Sequence, residues 1–416
     1  MKEVSLGIYI SVPFCRTKCS YCNFASDVFS KAVFEWYVDR VCADISNAPQ
    51  AAEQVGGKFE REVDSIYLGG GTPTVLSPGQ LRRIFDAVRS QFSVATGAEV
   101  TVECAPGTLT AEMLETLLLC GVNRVSLGVQ SFVDEEAASV GRLHKRATTL
   151  DDIARLRAAG IRNINIDLIA GLPHQTAESW KKSLQETIAA EVPHVSVYML
   201  EVDEDSRLGR ELIAGGTRYH AHFVPDEEAV ADFYLAACEA LEGTGVAQYE
   251  ISNFAREGFE SRHNLKYWTR QPYLGFGVDA HSMLPSLSAE LEAVRFATSD
   301  ALENYVAGAP LQKTNVSRAT ALEEAFFLGL RLNRGVDLHD VGDKFGSNAL
   351  ETSRANIQDL VEQGLLQRSE DRIFLTSRGR LLSNEVFQLF LQPAELRPDT
   401  RGSQTIRSVG TTPTNR

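Results

Sequence analysis

Long apolar segments and an excess of basic residues are both absent from this sequence of 416 residues. No stretch reaches the roughly 18 uncharged apolar residues of a membrane-spanning helix, so no membrane insertion is expected. Acidic residues (55) outnumber basic ones (41) and give a net charge of −14, which argues against a nucleic-acid-binding surface. Neither the apolar region nor the cleavage site of a signal peptide follows Lys2 and Glu3, so a cytoplasmic location is expected.

Paired cysteines are also scarce. The chain has 7 cysteines, an odd number that fits a reducing compartment better than a disulfide framework. Four lie singly and are expected to be small buried residues: Cys42, Cys104, Cys120 and Cys238. The remaining cysteines fall within one short loop, Cys15-Arg-Thr-Lys-Cys19-Ser-Tyr-Cys22, directly after an apolar strand pattern at residues 5–12.

Thiolates at this spacing can hold more than one kind of metal centre. A closed zinc site takes four protein ligands and would need a further Cys or His close in space. Three cysteines bind three irons of a [4Fe-4S] cluster and leave the fourth iron open to a small molecule. Disulfides are rare in cytosolic chains. The loop therefore favours an open iron–sulfur cluster on Cys15, Cys19 and Cys22 over zinc or disulfides.

Apolar strand patterns alternate with helical patterns through the first half of the chain. The strands are predicted near residues 5–12, 63–68, 99–104, 124–130, 163–169 and 194–200. About six strand-then-helix units indicate an α/β fold, in which helices cover a parallel sheet. The pattern does not distinguish an open sheet from a closed or partial barrel. The small, polar segment 46–62 is predicted to be a loop.

Polar residues follow the ends of these predicted strands. The cysteine loop comes after the first strand and a glycine turn, residues 69–74, after the second. Glu103 and Gln130 end the third and fourth strands, and Asp167 lies late in the fifth. Because function collects past the carboxyl ends of parallel strands, we expect these residues to share one site.

Four regions are predicted from the changes in composition. Residues 1–225 form the strand–helix core, and residues 226–314 complete it. Residues 315–391 carry charged helices and a short strand pair, which predicts a mainly helical, winged-helix-like module ending in a helix at 376–391. The tail 392–416 has almost nothing apolar and is predicted to be disordered.

The cysteine loop, with Tyr21 before its last cysteine, is similar to the signature of the radical S-adenosylmethionine superfamily. Within it the chain resembles the oxygen-independent coproporphyrinogen III oxidase group, and most closely its haem chaperone (HemW) branch. The motifs that carry the resemblance lie at residues 69–74, 103–108, 126–132, 141–144, 165–173, 248–254 and 261–268. The resemblance implies a partial (βα)6 barrel with a C-terminal module.

The resemblance also implies cofactors and their sites. The cysteines would hold a [4Fe-4S] cluster whose open iron chelates S-adenosylmethionine. The positions that match the first nucleotide site are Tyr9, Tyr21, Gly70, Gly71, Thr72 and Glu103. The positions that match a second S-adenosylmethionine site in the oxidase are Gln130, Arg142 and Asp167.

A second motif is rich in aromatic residues. It contains His263, Asn264, Tyr267 and Trp268. A lone histidine beside aromatic residues is more often a packed core residue than a ligand. Imidazole is nevertheless a common axial ligand of haem iron, and the resemblance ties this motif to haem. His220 and His222 are expected to be solvated or structural.

Two functions of different class follow from the resemblance. The first is a haem chaperone that passes haem to a membrane-bound respiratory enzyme. The second is the oxidase itself, which decarboxylates coproporphyrinogen III by radical chemistry. Phe24 stands where the oxidases carry a further cysteine. The strand before the cysteine loop starts by Ser5, without the N-terminal extension of the oxidases. Both features favour the chaperone. Ser11, Asn23 and Asp279 depart from the usual pattern. A homodimer and peripheral membrane association are further hypotheses.

Overall fold

Six parallel strands form the centre of the computed structural model, which describes residues 5–391. They lie side by side in chain order, so Ile8 of the first strand pairs with Ile66 of the second. The strands are β1 (Leu6–Val12), β2 (Glu62–Gly70), β3 (Ser93–Cys104), β4 (Arg124–Gln130), β5 (Asn163–Ala170) and β6 (His194–Met199). All six predicted strands are therefore confirmed, with bounds shifted by a few residues.

Helices cover the outer face of this sheet. They are α1 (Ala32–Ser46), α2 (Ala48–Val55), α3 (Pro78–Gln91), α4 (Ala111–Leu119), α5 (Asp134–Ser139), α6 (Arg146–Ala158) and α7 (Ala177–Ala189). Helix α3 begins with a capping box between Ser77 and Gln80, which satisfies two free backbone donors. Its buried residues Leu81, Ile84 and Val88 recur at helical spacing and face the sheet.

The predicted loop at 46–62 is wrong over half its length, because it contains α2. Ala48, Ala52 and Val55 bury one narrow face of this helix, and Gly56 ends it in the left-handed conformation. Small residues satisfy the helical period here without the large apolar side chains that usually reveal it. The segment therefore looked like a loop in sequence.

Further strands extend the sheet at both sides. β9 (Tyr273–Gly277) pairs in parallel with β1, and the antiparallel strands β10 (His281–Pro285), β11 (Ala293–Ala297) and β12 (Gln312–Val316) follow it outward. At the other side β6 pairs with β8 (Asn253–Ala255), which pairs with β7 (Ala247–Gln248). A turn separates β7 from β8. Within residues 5–391 the two outer strands, β12 and β7, do not pair, so the barrel is open.

Four more helices connect these later strands. They are α8 (Arg207–Ile213), α9 (Glu227–Glu242), α10 (Arg262–Trp268) and α11 (Leu302–Val306). A 3₁₀ segment, Arg218–Phe223, lies between α8 and α9. No helix in the described part of the chain is long and apolar enough to cross a membrane.

The C-terminal module combines helices with a small antiparallel sheet of three strands. Its elements are α12 (Arg318–Gly329), β13 (Val336–Asp337), α13 (Leu338–Phe345), α14 (Ser347–Glu362), β14 (Leu366–Ser369), β15 (Arg372–Leu375), α15 (Ser377–Leu381) and α16 (Ser383–Gln388). The predicted helix at 376–391 is two helices, because Leu382 leaves the helical conformation between them. The tail predicted to be disordered, 392–416, lies outside the described residues.

The two largest hydrophobic cores of residues 5–391 divide the molecule differently from the predicted boundary near residue 315. The larger core lies between the parallel strands and their helices. The second core contains the C-terminal helices together with Tyr267, Trp268 and Tyr273. Glu324 of α12 is buried and forms ion pairs with Arg270 and Arg295 at 2.8 and 2.6 Å. The C-terminal module therefore packs directly on α10 and β9–β11, and the domain bounds stay a prediction.

Candidate functional site

A cavity of about 450 Å³ opens at the carboxyl ends of β1–β6. Ligand pockets in proteins span roughly 300–1,000 Å³. The predicted residues that line it are Cys15, Cys19, Cys22, Tyr21, Gly70, Gly71, Thr72, Glu103, Gln130, Arg142 and Asp167. The structure thus brings together all the residues predicted for the cluster and S-adenosylmethionine except Tyr9, which lies one layer below the cavity wall.

Backbone hydrogen bonds hold the cysteine loop in place. The Cys15 amide donates to Asp27 O at 3.0 Å, and the Ser20 amide donates to Val140 O at 3.1 Å. The Thr17 hydroxyl donates to Gly141 O at 2.9 Å. The loop is therefore fixed to the segment after β4 by its own backbone, which presents the three thiols to the cavity.

The thiols fit a cluster better than a single ion. Within residues 5–391 no group of three or more Cys, His, Asp or Glu side chains is placed to hold one metal ion. A closed zinc site, the alternative left by the sequence, needs four such ligands around one point. A four-iron cluster separates its cysteine ligands further, since each binds a different iron. The donor set, three cysteines of one loop that lines the cavity, therefore fits [4Fe-4S].

Burial keeps the Cys15 and Cys22 thiols protonated without a metal. It raises the pKa of Cys15 to about 11 and raises the pKa of Cys22. Iron binds the thiolate, so cluster assembly must displace these protons. A [4Fe-4S] cluster would supply an open iron and a single electron at this place. Nη1 of Arg142 lies 3.6 Å from Sγ of Cys19. At this distance the positive charge of the guanidinium stabilises a thiolate on Cys19.

The glycine turn after β2 packs against the cysteine loop. A Cβ on Gly71 would lie 2.6 Å from Phe14 O and 2.8 Å from Val12 O, closer than atoms pack. The Gly71 amide donates to Val12 O at 2.7 Å and the Thr72 amide to Phe14 O at 2.8 Å. Gly70 has a φ of 95°, which favours glycine. Close contact with the cysteine loop and the backbone conformation thus explain why glycine occupies positions 70 and 71. That these glycines contact S-adenosylmethionine stays a prediction.

Glu103 lies beneath the glycine turn. Its carboxylate accepts from the Tyr67 hydroxyl at 2.8 Å and from the Gly70 amide at 3.2 Å. Burial, and then the charge of Asp167, raises the pKa of Glu103 to about 7. A buried carboxylate with so few donors is poorly compensated. The site is therefore suited to a ligand that brings hydrogen-bond donors or positive charge.

Gln130 and Arg142 each carry a polar atom that no group in residues 5–391 satisfies. Gln130 Oε1 and Arg142 Nε are buried without a hydrogen-bond partner in the described chain. Gln130 also has a φ of 68°, a strained conformation for a residue with a side chain. Arg142 hydrogen-bonds to Gly128 O, where a Cβ would collide with the guanidinium. An unpaired acceptor and an unpaired donor facing one cavity fit a polar ligand such as a nucleoside.

Asp167 connects the cavity to a buried polar network. Its carboxylate accepts from the Ser126 hydroxyl at 3.0 Å and from Asn165 Nδ2 at 2.7 Å. Asn165 Oδ1 lies 2.6 Å from Nδ1 of His194, whose Nε2 lies 2.9 Å from the Tyr249 hydroxyl. Burial raises the pKa of Asp167. The network fixes the Asp167 side chain without neutralising its charge.

The motif that contains His263 lies at the opposite, amino-terminal end of the strands, on α10. Glu99 of β3 accepts from the backbone amides of Arg262 and His263, both at 3.1 Å. An acidic side chain at a helix N-terminus pairs with its free amides. Helix α10 therefore closes the amino-terminal end of the open barrel.

His263 is 1% exposed. Its Nδ1 lies 3.1 Å from Ser65 Oγ and its Nε2 lies 2.8 Å from the Tyr267 hydroxyl. Burial, and then the charge of Lys266, lowers the pKa of His263 to about 3. Both ring nitrogens are thus occupied, so at least one of these hydrogen bonds must break before His263 can bind iron.

The remaining motif residues and Tyr9 surround this histidine or face the second core. The Tyr9 ring lies 6.3 Å from His263 and 6.1 Å from Tyr67, so Tyr9 and Tyr67 form one layer between His263 and the cavity. Asn264 is half-buried. Trp268 packs in the second core, where the Arg331 guanidinium lies 4.3 Å above its ring. The role of this motif in haem binding stays a prediction.

Several interior polar residues escaped the sequence analysis. Tyr67, Ser126 and Asn165 hold the predicted carboxylates, and Arg124 is 1% exposed with an unpaired Nε. The sequence pattern that could have found them is a polar residue at every second position of an otherwise apolar strand. Such alternation places them on one face of the sheet, and the structure shows that this face is the inner one.

The chain matches two family descriptions, the radical SAM superfamily at residues 9–187 and the HemN C-terminal domain at residues 316–382. Among solved structures it resembles coproporphyrinogen III oxidase (HemN) from Escherichia coli, a radical SAM enzyme. The TM-score is 0.78 with 24% identity, over 93% of this chain and 90% of that chain. The protein is therefore a radical SAM protein with an open α/β barrel and a HemN-type C-terminal module, as predicted.

Curated relatives narrow the class. Haem chaperone HemW from Bacillus subtilis is 34% identical over 92% of this chain and 98% of its own length. Haem chaperone HemW from Lactococcus lactis is 34% identical over 92% of this chain and 96% of its own length. Haem chaperone HemW from Escherichia coli is 30% identical over 94% of this chain and 99% of its own length. The chain belongs to the HemW family. Superfamily membership implies a [4Fe-4S] cluster and S-adenosylmethionine, which the cavity fits.

Proposed function

We propose that this protein is a haem chaperone, which binds haem, a [4Fe-4S] cluster and S-adenosylmethionine and delivers haem to respiratory enzymes. The observation that carries the proposal is the match to curated haem chaperones along almost the whole chain, at 34% identity over 92% of its residues. The match includes the barrel and the C-terminal module. The proposed location is the cytoplasm.

The cavity residues have separate roles in this proposal. Cys15, Cys19 and Cys22 hold the cluster, and Glu103 receives donors of the S-adenosylmethionine next to it. Gln130 and Arg142 supply the unpaired acceptor and donor that bind a second polar group, since neither Oε1 nor Nε has a partner in residues 5–391.

The competing function is the oxidation of coproporphyrinogen III. The likeness to the oxidase at 24% identity supports a common fold and does not select its chemistry. Phe24 lines the cavity and is 40% exposed, where the oxidases carry a further cysteine. A phenyl ring cannot take part in proton or electron transfer as a thiol does. This substitution favours the carrier over the enzyme.

The proposed partners follow from the carrier role. Haem is the cargo, and a membrane-bound respiratory enzyme receives it through transient contact of this protein with the membrane surface. Cys15 and Cys22 are only partly buried, so an open cluster on them is accessible to a second copy. We include a homodimer in the proposal for that reason.

Reconstitution without oxygen tests the proposal. The full chain is loaded with iron and sulfide, titrated with haem and followed by the Soret band, while coproporphyrinogen III turnover is assayed in parallel with S-adenosylmethionine and a reductant. We expect haem binding at one per chain and no protoporphyrinogen. Turnover to protoporphyrinogen would show an oxidase instead.

Cys19→Ser serves as the control for the cluster. It should abolish the iron–sulfur absorbance, while Cys42→Ser, at a half-buried position of α1 away from the cysteine loop, should leave it unchanged. Iron–sulfur absorbance that persists in Cys19→Ser would contradict the assignment of the cluster.

A further inference from the structure

A second cavity, of about 670 Å³, lies on the outer side of the cysteine loop. We call it the histidine pocket, and its walls include Val140, Arg207, Tyr219, His220, His222 and Phe223. Lys18 and Ser20 of the cysteine loop also line it. The Leu208 amide donates to Ser20 O at 2.8 Å, which fixes α8 to the loop. The histidine pocket and the cluster cavity are therefore back to back across the same loop.

Histidines in this pocket are accessible, unlike His263. His220 and His222 are exposed. His220 Nδ1 lies 3.1 Å from Nε2 of His174. When His220 Nδ1 donates this hydrogen bond, the lone pair of His220 is on Nε2. A partner on the second ring nitrogen is how proteins orient a histidine that binds a metal.

The backbone here is strained. His174, Tyr219 and His220 have φ values of 67°, 55° and 60°, each of which costs a residue with a side chain roughly 1–3 kcal/mol. The His174 amide donates to Phe223 O at 3.0 Å, which joins the turn after β5 to the 3₁₀ segment. Strain of this kind concentrates at functional sites, and here it sets the orientation of the two paired histidines.

The other walls suit a flat, partly anionic ligand. Phe223 is 48% exposed, and its ring centroid lies 4.0 Å from that of His222 and 4.1 Å from that of His174. An aromatic ring left open to water in a concave pocket is a contact surface for a planar apolar molecule. Arg207 makes no hydrogen bond or ion pair within the described chain and supplies a cation for a carboxylate.

We propose that haem binds in the histidine pocket, with His220 as axial ligand of the iron, Phe223 against the porphyrin and Arg207 near a propionate. This inference rests on the proposed function, because that function supplies haem as the ligand. It assigns haem to a site that needs no rearrangement of the core. It also places haem against the loop that holds the cluster.

Haem titration of the full, cluster-loaded chain tests this site. His220→Ala should weaken haem binding at least tenfold and remove the spectroscopic signature of imidazole-ligated iron in absorbance and electron paramagnetic resonance. His339→Ala is the matched control, because His339 is also exposed but lies on α13 of the C-terminal module. It should leave both readouts unchanged. Arg207→Gln should weaken binding and keep the imidazole signature.

The outcomes separate this inference from the proposed function. A wild-type chain that binds no haem overturns both. Binding and spectra that are unchanged in His220→Ala and in the double variant His220→Ala/His222→Ala overturn only the histidine pocket. Loss of the signature in His222→Ala, with His220→Ala unaffected, overturns the assignment of His220. Circular dichroism and iron–sulfur absorbance verify that each variant is folded and loaded.

Discussion

The buried carboxyl of Glu103 makes the stability of the ligand-free protein depend on pH. Burial and Asp167 raise its pKa from 4.5 to about 7. Between these values the folded chain keeps a proton that the unfolded chain has released, so stability falls as pH rises. The full cost, reached above pH 7, is about 3 kcal/mol at about 1.36 kcal/mol for each pKa unit. Below pH 4.5 the cost disappears.

Glu103→Gln removes this titration and keeps the shape of the side chain. We expect its unfolding free energy, relative to wild type, to increase by about 2.5 kcal/mol between pH 5 and pH 8. Altered hydrogen bonds to Tyr67 and Gly70 contribute equally at both pH values and cancel in this difference. Urea unfolding of the ligand-free chain under reducing conditions measures it.

Glu53→Gln, at an exposed position of α2, is the control and should show the same offset from wild type at both pH values. A Glu103→Gln offset that changes by less than about 0.5 kcal/mol, near the error of such extrapolations, would refute the reasoning. It would mean that solvent or a protein group compensates the carboxylate in the folded state.

Further substitutions test the packing around the cavity and between the modules. Gly71→Ala should destabilise the chain by about 1–3 kcal/mol in urea unfolding and impair cluster loading, because its Cβ would meet Phe14 O at 2.6 Å. The control Gly79→Ala has open space around its Cβ and should leave the unfolding free energy unchanged. Gln130→Gly should relieve roughly 1–2 kcal/mol of strain yet weaken S-adenosylmethionine binding in equilibrium dialysis. Glu324→Gln should cost about 3–5 kcal/mol in the same unfolding assay, since it leaves two arginines without their carboxylate.

The parallel strands could be predicted because apolar residues recur at every second position along them. The strand ends then located Glu103, Gln130 and Asp167 at one edge. Helix α2 was missed because alanines carry its buried face. The antiparallel strands β10–β12 were missed too, since their exposed positions break the apolar runs that mark a strand.

Contacts inside the barrel could not be predicted from one sequence. Asn165 and Tyr67 hold the two carboxylates only because their strands present them inward, and strand pattern alone does not say which face is inside. The pairing of His174 with His220 joins residues far apart in the chain through two left-handed turns. No local pattern indicates left-handed backbone at a histidine, so His220 was expected to be solvated or structural.

The position of His263 changes what its substitution can show. Its ring fills the amino-terminal end of the barrel, between Ser65 and Tyr267, and Tyr267 in turn packs in the core that α10 shares with the C-terminal module. Removing the ring leaves two buried hydroxyls without a partner, at roughly 1–3 kcal/mol each. Loss of haem binding in a His263 variant therefore fits a disturbed fold as well as a lost ligand. A substitution at His220 avoids this ambiguity, because the exposed ring supports no core contact, and so it identifies the haem ligand more directly.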